Sequence, residues 1–108
     1  MKELLKEYNF LTFNLEEVEQ MSKDDLEMAF IFNFIKNNYS CKECKVHYAT
    51  TLFLAGGITT DVYLIEIYDV IVRYIEIVND RRVYFNTDNI LLGKERVKMF
   101  LDGGGCIK

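Results

Sequence analysis

Asp61-Val-Tyr-Leu-Ile-Glu66-Ile-Tyr-Asp69-Val-Ile-Val-Arg73-Tyr-Ile-Glu76-Ile-Val78-Asn79 is the stretch on which the fold turns. Within the apolar run Val62–Val78 the polar side chains are Glu66, Asp69, Arg73 and Glu76, with Asp80 just beyond. Those gaps of 3, 4, 3 and 4 are the spacing of one helical face. Length also favours a helix. Seventeen residues of straight strand reach about 56 Å at about 3.3 Å each, too long for a domain whose radius of gyration is about 13 Å. The same residues as a helix cover about 26 Å. Composition points the other way. Of the 42 residues from Val46 to Thr87, 17 are Val, Ile or Thr and seven are Tyr or Phe, which is what a pleated, half-buried surface takes. The sheet reading is preferred, and it requires a bend or bulge near Tyr68-Asp69.

Working outward, Gly56-Gly57 separates Tyr48–Ala55 from Ile58–Tyr68 and reads as a hairpin loop. Asn79-Asp80 separates Val70–Val78 from Arg81–Asn86 and reads as a second, weaker one. The result is an antiparallel meander of three or four strands. The first forty residues read as helical. Leu4, Leu5 and Tyr8 make a short apolar stripe, and Asn14 caps Leu15–Gln20 with Glu16 and Glu17 in its first turn. Ser22 opens a longer, broadly apolar helix that ends at Asn37-Asn38, with Asp25 as a weak capping-box partner. Asp88 or Asn89 caps a short C-terminal helix through Lys94–Leu101, which Gly103–Gly105 stops. The expected fold class is α+β: N-terminal helices on a three- to four-stranded antiparallel meander with a short C-terminal helix. The alternative is a mostly α fold with residues 61–79 as a long buried helix. A length of 108 residues with 50% apolar content is one globular domain, 1–108.

Charge narrows the function classes. The net charge is −4, and residues 1–30 alone carry −5, which disfavours nucleic-acid binding through a basic surface. No apolar run suffices to span a bilayer. The N-terminus lacks the pattern of a secretory leader, and an odd cysteine count then fits a reducing cytoplasm with free thiols. Catalytic constellations are scarce: there is one His, and neither G-x-S-x-G nor H-E-x-x-H occurs. The chain is expected not to be an enzyme, although a pocket built from Tyr, Asp, Glu and Arg needs no motif.

Two groups of residues are candidate sites. Glu16, Glu17, Glu19, Asp24, Asp25 and Glu27 form an acidic patch that can dock a basic protein surface, speeding association and fixing register. Tyr48, Tyr63, Tyr68, Tyr74 and Tyr84 are potential interface anchors where they lie on an exposed sheet face, and some of them belong to the core. The second group is Cys41-x-x-Cys44-x-x-His47 with the distant Cys106, a donor set for one tetrahedral Cys3His zinc site. It has no second paired knuckle, so thiols at a helix–strand junction and a lone strand His are the plainer reading.

In size, acidity and composition the chain resembles bacterial toxin-immunity proteins and small phage-encoded inhibitors of host defence. That likeness assigns no residue. The expectation drawn from it and from the charge distribution is a small acidic protein that binds and blocks a basic toxin or nuclease, without a cofactor. A structural-zinc regulatory or scaffold module is the alternative. An exposed edge strand also allows a homodimer.

Overall fold

In a computed structural model, residues 11–40, 43–79 and 82–102 are described. Residues 61–79 are sheet. Strand β3 (Ile58–Ile67) and strand β4 (Val70–Val78) pair antiparallel from Ile67↔Val70 upward, with only Tyr68-Asp69 between them. Both turn residues have positive φ, 48° and 66°, as the tightest hairpin turns demand so that their twist matches that of the strands. The required bend is thus a complete reversal. It resolves the length conflict, because the longest dimension of the molecule is 38 Å and neither strand exceeds ten residues.

The sheet has five strands in chain order, all antiparallel. Strand β2 (Cys44–Leu54) turns through Ala55–Gly57 into β3, with Gly56 and Gly57 at φ 80° and 76°. Strand β5 (Arg82–Thr87) pairs with β4. The fifth member is strand β1 (Leu11–Asn14), which pairs with the start of β2. This corrects the helical reading of the first forty residues at 11–14, while the stripe at Leu4, Leu5 and Tyr8 lies outside the described residues.

Helix α1 (Leu15–Met21) starts as expected. The Asn14 side chain accepts from Glu17 N at 2.8 Å and the Glu17 side chain accepts from Asn14 N at 3.0 Å, a complete capping box. Ser22 does not open the next helix. It closes α1, and Asp25 caps helix α2 (Leu26–Asn38) by accepting from Glu27 N and Met28 N. Helix α3 (Ile90–Asp102) begins four residues before Lys94, capped by Asn89, whose Oδ1 accepts from Leu92 N.

Strand alternation sends neighbouring residues to opposite faces, and both faces are covered. Val46, Tyr63, Ile65, Ile75 and Ile77 pack with Val18, Met28, Ile31 and Ile35 of α1 and α2. The intervening Leu64, Tyr74 and Glu76 are also buried. There α3 lies on the sheet, with Gly93 against the Tyr74 ring and Arg96 on Glu76. The order is helix, sheet, helix.

Candidate functional site: an acidic, aromatic-walled groove

A groove of about 450 Å³ opens where the α1–α2 turn meets the sheet. Its floor is aromatic. Tyr48 of β2 and Tyr63 of β3 are register partners, so their rings stand side by side with centroids 5.5 Å apart. Phe13 of the edge strand completes that wall. The opposite wall comes from Met21 at the end of α1 and from Leu26 and Met28 in the first turn of α2. Leu26 is 73% exposed, a large apolar side chain left on the rim.

Four carboxylates line the same groove: Asp24, Asp25, Glu27 and Asp61. No Lys, Arg or His lines it among the described residues. Each acid is placed by its local role. Asp24 lies in the turn between the helices, and Asp25 must sit at the head of α2 because its Oδ1 caps that helix. Asp61 is aimed by pairing opposite Thr51, whose hydroxyl donates to its Oδ1 and is itself bonded to the Tyr48 hydroxyl. Glu27 is only 4% exposed, and its Oε1 accepts from the Tyr63 hydroxyl at 2.6 Å.

The electrostatic imprint is visible on Tyr63. Burial, the hydrogen bond to Glu27 and the negative field of Glu27, Asp61 and Asp25 together hold its phenol proton far above the usual range. Tyr74, on the other face, is raised as well, first by burial and then by Glu76. The unfolded chain sheds both phenol protons as pH passes about 10, whereas the folded chain keeps them. Above that pH the unfolded state binds fewer protons, so stability falls as pH rises, by up to about 3 kcal/mol per pH unit for the two groups. Urea midpoints between pH 9 and 11 should decline steeply, and less so in Tyr63→Phe. A flat profile would mean that both phenols ionise in the folded protein.

The structure sorts the candidate residues. Glu16, Glu17, Glu19, Asp24 and Asp25 are exposed, as a docking patch needs. They do not form one surface: only Asp24 and Asp25 reach the groove, and Glu16 lines a separate depression with Glu43 and Lys45. Glu27 corrects the solvent-facing expectation, being buried beneath the groove. Asp61 was missed, since a lone acid in a strand carries no local signal and joins the site only through register.

The zinc donor set is split by the sheet. Cys44 packs in the core with α1 and α2. His47, three residues along the same strand, points to the other face. There its Nε2 bonds Glu66 Oε1 at 2.9 Å and its Nδ1 bonds the Thr12 hydroxyl at 2.8 Å. Residues an odd number apart on a strand face opposite ways, so these two cannot share one metal in this fold. Cys41 and Cys106 lie outside the described residues. Among the described residues no three His, Cys, Asp or Glu side chains converge to hold a metal. The Thr12–His47–Glu66 chain follows from pairing, since Thr12 stands directly opposite His47. It satisfies the buried polar groups of His47 and Glu66.

No protein-family model matches the chain, and neither curated proteins nor solved structures give a match. Among the described residues no helix is long and apolar enough to cross a membrane.

Proposed function

We propose that this chain is a small acidic protein-binding inhibitor, of the immunity-protein or phage anti-defence kind, that acts in the cytoplasm. It blocks a basic toxin or nuclease by contact and does no bond-making chemistry of its own. The observation that carries this reading is the groove, in which four carboxylates and three aromatic rings meet with no cation among the described lining residues. The described ion pairs, His47–Glu66 and Arg96–Glu76, lie on the α3 side of the sheet. A nuclease is basic where it holds phosphate, and the outward acids of α1 and the α1–α2 turn supply the complementary field that steers such a partner in.

The test is capture from the source cell with the tagged full chain, compared with a Glu16→Lys/Glu19→Lys/Asp24→Lys variant. These three positions avoid the capping residues Asn14, Glu17 and Asp25, so the fold is kept. The expected result is one basic protein, held at low salt, released at high salt and lost in the variant. Inhibition of that protein's nuclease or toxin activity by the wild type completes the assignment. Equal capture by both chains, or capture of nothing, overturns the reading.

A further inference from the structure

We propose that the groove seats an arginine side chain of the protein partner, flanked there by an apolar residue. This rests on the partner-binding reading above and names what enters the site. Among the described residues no three carboxylates converge closely enough to hold a metal ion, so a hard cation, which wants a cage of oxygens, is a poor occupant. An apolar plug is equally poor, because it would cover carboxylates without pairing them. An occupant must be apolar along its stem and cationic at its tip. Both Lys and Arg meet that description.

The walls decide between them. A guanidinium is planar, stacks on aromatic faces and sends five donors outward in its own plane. Half-buried Tyr48 provides the open face, backed by the buried ring of Tyr63, and Asp61, Asp24 and Asp25 provide acceptors around it. An ammonium is a compact, strongly hydrated point charge that gains less from aromatic walls and loses more on leaving water. The apolar flank has its own counterpart. Leu26 on the rim is exposed, and Leu11, opposite Tyr48 in register and two residues before Phe13 on β1, is exposed as well.

The experiment titrates the full isotope-labelled chain with three blocked tripeptides, acetyl-Leu-X-Leu-amide, where X is arginine, lysine or citrulline. Two-dimensional amide spectra at low salt give the readout. The arginine peptide should move the signals of Leu26, Met28, Tyr48 and Tyr63, and bind about threefold more tightly than the lysine peptide. Citrulline keeps the planar shape without the charge and should not bind. Asp61→Asn, which keeps the acceptor for Thr51, should weaken the arginine peptide about threefold.

Equal or tighter binding of lysine overturns the choice of guanidinium. Shifts confined to Glu16–Glu19 overturn the location. Signals that move with protein concentration alone make a second copy of the chain the occupant, and overturn the inference too. Failure of every peptide while the partner is still captured sinks this inference and leaves the inhibitor reading standing. Failure of both sinks both.

Discussion

Arg96→Met is expected to cost about 3–5 kcal/mol of folding stability, enough to unfold much of a domain whose total is about 5–15 kcal/mol. Glu76 is 1% exposed in the middle of β4. Arg96 grips it with two parallel bonds, Nε to Oε2 at 2.6 Å and Nη2 to Oε1 at 2.8 Å, and the Tyr74 hydroxyl adds a third at 2.6 Å. The guanidinium also lies 4.3 Å from the centre of the Phe85 ring. Methionine keeps much of the stem's packing and removes the charge, so the loss measured is chiefly that of a carboxylate stranded in a water-free site. A companion Glu76→Leu in the same chain removes the stranded charge and should recover part of the loss, the remainder staying because the buried Tyr74 hydroxyl then lacks its acceptor. Urea unfolding of the two variants checks this. A loss below about 1 kcal/mol for Arg96→Met, the level of a surface ion pair, would mean that Glu76 is reached by water.

The second large effect is expected at Gly93. In an exposed helix the change Gly93→Ala stabilises by about 1 kcal/mol. Here a methyl group would stand 2.5 Å from Tyr74 Cγ and 2.8 Å from its Cβ. Those atoms sit at the root of the ring and cannot swing aside. The ring is 0% exposed, its hydroxyl is tied to Glu76, and its edge meets Phe85 at a centroid separation of 6.0 Å. The helix must lift instead, and a net loss of about 1–3 kcal/mol follows. For a domain of this size each kcal/mol lowers the melting temperature by about 4–8 °C, so calorimetry resolves it readily. A neutral or stabilising outcome would show that α3 does not rest on Tyr74.

These two sites explain why the central stretch read ambiguously. Glu66, Arg73 and Glu76 are spaced like a helix face, yet none marks a solvated one. Glu66 meets His47, Glu76 meets Arg96, and Arg73 bonds Tyr39 and Asn86 while lying over Phe34. Asp69 is polar because it occupies a turn. Periodicity reports exposure, and here Glu66 and Glu76 are buried and Arg73 half-buried, with partners far along the chain. The β-branched composition was the better guide because backbone fit to a pleat is a local property. Strand β1 was illegible for the opposite reason: four residues are too few to show alternation.

The site was half legible. Acid density flagged Asp24 and Asp25, and tyrosine content flagged Tyr48 and Tyr63. Their meeting, and the entry of Asp61, depend on cross-strand register. The zinc set shows the converse effect of register. Spacing of three along the chain suggests neighbours, but on a strand it separates Cys44 from His47 by the thickness of the sheet.

The order of the strands carries a kinetic consequence. β2 to β5 are joined by short reversals, so their contacts close small loops and form early. β1 must instead wait until both α1 and α2 are in place before it can reach β2, roughly thirty residues along the chain. It is therefore the last strand to zip on and the first to fray, and its amides should exchange fastest of the sheet. Phe13, a wall of the groove, rides on that strand, so fraying of β1 should open the entrance while β2 to β5 stay paired.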